Sequence, residues 1–315
     1  MSARLRVGVV GVGYLGRLHA KIYASIPDVE LIGVADINAD TAAEIAAAYQ
    51  CTAYVDCREL LPRVDAVSIV VPTSVHRQVA EPFLQNGVHM LLEKPVASTV
   101  ADAQAIVELA ERTDTILQIG HLERFNAGVM ALAERVGVPR FIEVHRLGTF
   151  VERASDVDVV TDLMIHDIDI VLSLVKSPLR YISAVGSSVV TTHIDIANAR
   201  LEFTNGTVAN VTASRVSNKR FRRIRVFSEN QYQALNFADQ QIDIVRPASP
   251  PSDGGFPEII SERVQVEPRP PLDAELEHFS ATVRNGAQPL VNGRDGLAAL
   301  EVAAQVRDKI QSCLN

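Results

Sequence analysis

Four groups of residues in this sequence have types and spacings that could do chemistry. The first is Gly11-Val12-Gly13-Tyr14-Leu15-Gly16, which follows an apolar run and opens a stretch of helical period. In a G-x-G-x-x-G turn of this kind, Gly11 permits the tight turn, Gly13 lets the backbone approach a pyrophosphate, and Gly16 lets the helix pack closely on a sheet. The helix that begins at Tyr14 and Leu15 then offers unpaired N–H groups and the positive end of its dipole to the phosphates. Asp36 ends the second apolar run, 20 residues past Gly16. A carboxylate there binds the adenosine ribose hydroxyls and repels a 2′-phosphate, so the cofactor reads as NAD rather than NADP.

The second group is Lys94, just past another buried-strand pattern and so at the carboxyl edge where open α/β sheets hold ligands. Desolvation and a nearby positive nicotinamide would both lower its pKa toward a usable value, and the ammonium could equally donate to a substrate oxygen. The plain alternative is a surface lysine in an ordinary turn. The third group is Asp162-x-x-x-His166-x-x-Asp169. On an α-helical wheel His166 falls at about 40° and Asp169 at about −20° from Asp162, so the three share one face. Most of the rest of that helix is apolar, with Asp167 interrupting it, and a helix apolar almost all round is buried. Its polar stripe then needs partners or a ligand cleft. A carboxylate on one imidazole nitrogen would fix the tautomer and raise the basicity of the other; a core histidine paired to Asp169 is the alternative. No further ligand accompanies the set, so no metal is assigned. Arg124 and Asn126 form the fourth group, placed to touch a substrate where the chain passes into its second half. Arg124 reads as either a diphosphate ligand or an interface salt bridge.

The elements that must position these residues alternate in the first 120 positions. Arg6–Val10, Leu31–Ala35, Ala66–Val71, Val88–Leu92 and Ile116–Ile119 read as strands buried on both faces. Tyr14–Ser25, Ala39–Tyr49, Val75–Asn86 and Thr99–Arg112 read as helices, the last opened by a Thr99-x-x-Asp102 capping box. Strand–helix alternation predicts a doubly wound, mostly parallel sheet. After about residue 122 one helix, Thr161–Val175, precedes five strand patterns: Tyr181–Val190, Ile194–Phe203, Thr207–Ser214, Phe221–Phe227 and Tyr232–Phe237. Asn205-Gly206 signals a type I′ hairpin between two of them. Residues 246–272 hold seven of the 15 prolines and read as an extended loop. Leu272–Arg284 and Gly296–Ile310 close the chain as helices. The expectation is an α/β dinucleotide-binding domain over 1–122 and an α+β domain over 123–315 with a large, mainly antiparallel, open-faced sheet, its last helices free to pack back on the first domain.

A chain of 315 residues is natural for two domains, and its 47% hydrophobic and 22% charged fractions are those of a globular protein. A net charge of −8 argues against nucleic acid as a partner. The one dense basic run, Lys219–Arg225, reads as a strand whose charges are solvated or face another subunit. No apolar run reaches the ~20 residues that span a bilayer, and Met1-Ser2-Ala3-Arg4 carries no cleavage signal. The three cysteines lack C-x-x-C spacing, which disfavours a disulfide framework or a zinc site. The chain reads as cytoplasmic.

Glu93-Lys94-Pro95 resembles a motif of the Gfo/Idh/MocA oxidoreductases, and three further segments agree. Val71–His76 is similar to the family's loop beside the nicotinamide ribose, Asp162–Asp169 to its helix facing the nicotinamide, and Leu290–Val302 to its C-terminal stretch. The resemblance implies that Pro72, Thr73, His76, Glu93 and Lys94 join the glycine turn in holding NAD. It also implies that Lys94, Asp162 and His166 do the chemistry, a hydride transfer from a secondary alcohol of a sugar, with Lys94 or His166 as proton acceptor. Asp158-Val159-Val160-Thr161 departs from the glycine-rich stretch that often precedes the helix motif, so the loop there differs in shape. Within the family, Gly120–Asn126 and Thr161–Asp169 most resemble members that oxidise C3 of UDP-N-acetylglucosamine for 3-amino sugar (lipid A) synthesis. A dehydrogenase or reductase of a free sugar or inositol, and a non-catalytic NAD-sensing regulator, are the competing readings. Assembly as a homodimer or homotetramer through the C-terminal sheet is also implied by resemblance.

Overall fold

The computed structural model describes residues 3–151, 157–248 and 256–314. The elements of the first part are β1 (Leu5–Val10), α1 (Tyr14–Ser25), β2 (Val29–Ala35), α2 (Ala39–Tyr49), β3 (Thr52–Tyr54), β4 (Ala66–Ile69), α3 (His76–Gln85), β5 (His89–Glu93), α4 (Val100–Arg112) and β6 (Leu117–Gly120). There follow α5 (Ala127–Arg135), β7 (Pro139–Leu147), α6 (Ile165–Val175), β8 (Leu179–Ser187), β9 (Ile196–Phe203), β10 (Val208–Ser214) and β11 (Phe221–Ser228). The chain ends with β12 (Gln231–Asn236), β13 (Gln241–Pro247), β14 (Ile259–Val264), α7 (Pro271–Asn285) and α8 (Gly293–Leu314).

Two compact units result, residues 1–122 with 270–298, and residues 123–269 with 299–315. The first is built on a sheet of order β3-β2-β1-β4-β5-β6, with all neighbours parallel. The order reverses between β1 and β4, and in doubly wound sheets ligands bind at the carboxyl ends of strands at that switch point. The apolar runs of β1, β2, β4 and β5 are buried on both faces because helices cover both sides. Thr99 caps α4 as the sequence predicted: its Oγ1 accepts from Asp102 N–H at 3.1 Å and donates to the Asp102 carboxylate at 2.7 Å. The three-residue edge strand β3, largely exposed, has no apolar run to announce it. Leu276 and Phe279 of α7 lie in the same core as Val7, Val9 and Tyr23, so Pro270–Ala298 belongs with this unit and not with the second half alone.

The second unit carries a sheet of order β14-β13-β12-β11-β7-β10-β9-β8, antiparallel except where β7 runs parallel to β10. Inward residues such as Ile142, Val144, Val211 and Ile224 form one core with Ile165, Ile168 and Val171 of α6 and with Val302 and Val306 of α8. Three expectations are corrected here. The sequence reading had no strand at β7, because the inward-facing Arg146 breaks its apolar alternation. The proline-rich stretch forms an edge strand, β14, paired to β13; residues 249–255 of that stretch, like Met1 and Ser2, lie outside the described residues. At Asn205-Gly206 the positive φ falls on Gly206 alone (+86°), and the turn bond runs from Gly206 N–H to Phe203 C=O at 3.0 Å. The hairpin therefore closes with a glycine bulge instead of a type I′ turn.

Candidate active site

In the glycine turn each glycine has a separate reason. Gly11 has φ +82°, and a Cβ on Gly16 would come within 1.8 Å of the Gly11 carbonyl oxygen. The Cβ that Gly13 lacks would meet nothing within 4 Å, so its side of the turn is open to a ligand. Gly13 is also the N-cap of α1 and brings no side chain to the helix's first N–H groups, which the exposed Tyr14 and its neighbour Leu15 begin. Asp36 braces this turn: its Oδ2 accepts from Val12 N–H at 2.9 Å and its Oδ1 from Asn38 N–H at 2.9 Å. Carboxylate oxygens each accept more than one hydrogen bond, so Asp36 can serve ribose hydroxyls in the same position. These residues fit a bound NAD.

Pro72 and Thr73 open a short 3-10 turn, Thr73–Val75, that leads into α3. His76, grouped with them as a cofactor residue, is instead buried with its ring between backbone carbonyls. Nδ1 lies 3.1 Å from Pro95 O and 3.2 Å from Val96 O, and Nε2 lies 3.0 Å from Val71 O. Burial pushes its pKa down against the pull of those carbonyls. The ring thus ties the Val71 loop to the turn after Lys94. Lys94 itself is half-buried at the end of β5, ahead of a cis bond to Pro95. Glu93 is buried, with His19 Nε2 at 3.3 Å from its Oε1.

In the second unit the helix motif does not start as an α-helix. Val160–Met164 form a π turn, and α6 begins only at Ile165. The wheel drawn through Asp162 at α-helical phase does not apply across that turn; π turns of this kind recur at functional sites. Asp162 and His166 are half-buried, whereas Asp169 is buried and takes Arg124 Nη1 at 3.3 Å. Arg124 is thereby tied to α6 within one unit. Asn126 is a correction: it is buried, its Oδ1 caps α5 through Gly128 N–H at 3.0 Å, and its amide donates to Phe237 C=O at 3.2 Å. Both ends of its side-chain amide are thus engaged by the fold.

Sequence reasoning missed the charged group behind this helix. Arg146 of β7 donates to both oxygens of Asp167, at 2.9 and 2.8 Å, and to Glu123 at 2.8 Å. Its guanidinium lies 5.3 Å from the Phe237 ring centroid. Burial works against the charge, but Asp167 and Glu123 hold the guanidinium above its ordinary value. Asp167, a polar interruption on α6 outside the Asp162–His166–Asp169 stripe, was the available signal; its partner 21 residues away was not legible. In the basic run, Arg225 pairs with Glu143 and Arg222 lies 3.6 Å from Glu123.

The model of the oxidoreductase family with an NAD-binding Rossmann fold, GFO_IDH_MocA, matches residues 5–121, and that of the family's C-terminal domain matches residues 133–232. The chain belongs to the Gfo/Idh/MocA family. Among its relatives, the UDP-N-acetylglucosamine 3-dehydrogenase of Acidithiobacillus ferrooxidans is 40% identical over 98% of both chains. A solved structure of that enzyme superposes with a TM-score of 0.92 at 38% identity over all of both chains. The inositol 2-dehydrogenase of Rhizobium meliloti is 28% identical, over 95% of this chain and 94% of its own. A levoglucosan dehydrogenase in complex with NADH and levoglucosan shares the fold, with a TM-score of 0.85 at 19% identity over 98% of both chains. Like other members of the family, this one has an NAD-binding Rossmann domain and is an oxidoreductase.

Proposed function

We propose that this member of the family is an NAD-dependent dehydrogenase that oxidises C3 of UDP-N-acetylglucosamine. The observation that carries the substrate is the 40% identity, over 98% of both chains, to an enzyme of that name, against 28% to an inositol dehydrogenase. The 3-keto product would be consumed by an amination, as in 3-amino sugar (lipid A) synthesis. Bound NAD supplies the hydride acceptor. Gly11, Gly13 and the first turn of α1 hold its pyrophosphate, Asp36 its adenosine ribose, and the Pro72–Thr73 turn and the segment Glu93-Lys94 its other half. Lys94 Nζ or a ring nitrogen of His166 takes the hydroxyl proton, and the other polarises the oxygen. Asp162 orients the substrate or His166. Arg124, engaged by Asp169, steadies α6.

The test is NADH formation with UDP-N-acetylglucosamine, free N-acetylglucosamine and myo-inositol. Turnover restricted to the UDP-sugar is expected; preference for inositol would overturn the substrate, and NAD binding without turnover on any of them would favour a regulator. The outward side of the second sheet carries a half-exposed aromatic cluster, with Phe227 4.9 Å from Tyr232 and 5.7 Å from Phe141 between ring centroids. We infer that this face joins two copies of the chain, so a monomer mass in solution at micromolar concentration would refute it. No described helix is long and apolar enough to cross a membrane.

A further inference from the structure

The first unit buries a polar group that the proposed reaction leaves unused. Glu275 of α7 is fully buried, and among the described residues neither of its carboxyl oxygens has a hydrogen-bond partner. Its helix is fixed at this point by Gln118 of β6, whose amide donates to the Glu275 carbonyl at 3.4 Å and whose Oε1 lies 3.2 Å from His278 Nδ1. Glu93, at the end of β5, brings a second carboxyl near enough for its charge to act on Glu275 and on Tyr23. The Glu93 carboxyl sits in a slot against Gly120, where a Cβ would come within 2.9 Å of Oε2 and 3.0 Å of Oε1. On its other side is the buried His19 ring of α1.

Two carboxyls in an apolar core do not both ionise without a cation, and one keeps its proton. Among the described residues no lysine or arginine acts on Glu275; burial first, and then the charge of Glu93, push its carboxyl well above the usual carboxylate range. A buried polar group without partners costs about 1–3 kcal/mol, a cost that a leucine at the same place would avoid. Stability of α7 therefore does not explain a glutamate here. Its neighbour Glu93 directly precedes Lys94.

We propose that Glu275 is a positioning residue: as the neutral member of a buried carboxyl pair it seats Glu93 at the end of β5, and through Glu93 it sets how Lys94 presents its amine. The role rests on the dehydrogenase reading above. Ionising Glu275 would put a second negative charge beside Glu93, displace that carboxyl from the Gly120 slot, and favour the protonated Lys94 that cannot accept a proton. Other titratable side chains lie around the pair. His19 and Tyr23 face it from α1; the Tyr23 hydroxyl is held by Ser68 at 2.8 Å, and burial raises it far above the phenol range. His76, at the start of α3, feels the Glu93 charge, and His278 lies one turn along α7; burial holds both below the usual histidine value.

The test uses the full chain with Glu275→Gln and Glu275→Leu. The first measurement is the melting temperature against pH, without cofactor or substrate. A carboxyl whose native pKa is raised gives stability below its unfolded value, about 4.3, and that stability is lost as pH rises through the native value. Relative to wild type, the glutamine variant should therefore become steadily more stable from acid to neutral pH. A difference that is flat, or that runs the other way, shows Glu275 ionised and overturns the proposal. The second measurement is steady-state kinetics. Glu275→Leu should lower kcat about tenfold, with the KM for NAD within about twofold, because a displaced reacting group costs turnover more than binding; Glu275→Gln should restore most of that kcat. Equal kcat in the two variants reduces Glu275 to packing and overturns the role. Where the leucine variant does not fold, the alkaline fall of kcat decides: it must move to higher pH in Glu275→Gln, and an unmoved limb refutes positioning. The melting arm needs no substrate, so a rising stability gap in a wild type that oxidises no sugar refutes the dehydrogenase reading and the positioning role together. Failure of the gap in an active enzyme refutes Glu275 alone.

Discussion

Asp167 and Glu123 in the second unit lie on either side of Arg146, whereas Glu275 in the first feels the charge of Glu93 and has no hydrogen-bond partner on either carboxyl oxygen among the described residues. Both pairs are buried. Arg146 gives the first pair a planar fork that satisfies three carboxylate oxygens at 2.8–2.9 Å, and such a group can sit in a core as part of the frame. The other pair is accommodated, on the proposal above, by keeping a proton, and it stands next to the lysine assigned to the reaction. The contrast separates a charge cluster that holds α6 to its sheet from one that is tolerated at the edge of the site.

That contrast is broken most directly at Arg146. Arg146→Met removes the hydrogen-bonded cation of Asp167 and leaves Glu123 with Arg222 alone, 3.6 Å away, so unfolding free energy should fall by about 3–5 kcal/mol. Replacing Asp167 as well, by leucine, should recover most of the loss, since an apolar pair of similar volume is often as stable as a buried ion pair. Denaturant unfolding of both variants checks this. A loss below about 1 kcal/mol in the single variant would mean that water or a shifted side chain compensates the carboxylates, and the two clusters would then not differ in kind.

How much of this could be read from the sequence follows the same division. The glycine turn, Asp36 and the parallel sheet were legible because each is specified by neighbours in the chain: a strand, a turn and a helix start within about 30 residues. Lys94 was legible as the residue after a buried run. The helix of Asp162 and His166 was legible as an element but not in its phase, because nothing local distinguishes the Val160–Met164 π turn from an α turn. The β7 strand was hidden by Arg146, an inward charge that makes sense only with Asp167 and Glu123 in place. Glu275 had a signal that went unused. It stands three residues after Leu272 and four before Phe279, on the face of α7 that the apolar residues mark for burial.

A smaller but sharper test concerns the two candidate bases, one in each unit. Lys94→Ala and His166→Ala should both retain NAD binding, and loss of the proton acceptor should cost about a hundredfold or more in kcat. The two roles differ in the pH profile. Removing the acceptor abolishes the acid limb of kcat, whereas removing the polariser lowers the whole profile and keeps the limb. Wild-type turnover in both variants would sink the assignment of either residue and leave Glu93 and Glu275 with nothing to position.

The smallest expected effect is at Asp36, where architecture and recognition meet in one carboxylate. Its two oxygens already accept from Val12 and Asn38 N–H groups, so Asp36→Ala removes a brace of the glycine turn along with a ribose ligand. Asp36→Asn keeps one oxygen acceptor, turns the other into an amide donor and removes the charge. Discrimination against NADP should relax in both by about tenfold, or about 1.4 kcal/mol, because the repelled 2′-phosphate depends on charge and not on shape. Affinity for NAD and the melting temperature should fall further in the alanine variant than in the asparagine variant. Unchanged discrimination in Asp36→Asn would assign the exclusion of NADP to the shape of the turn, and Asp36 would then stand with Arg146 as a part of the frame.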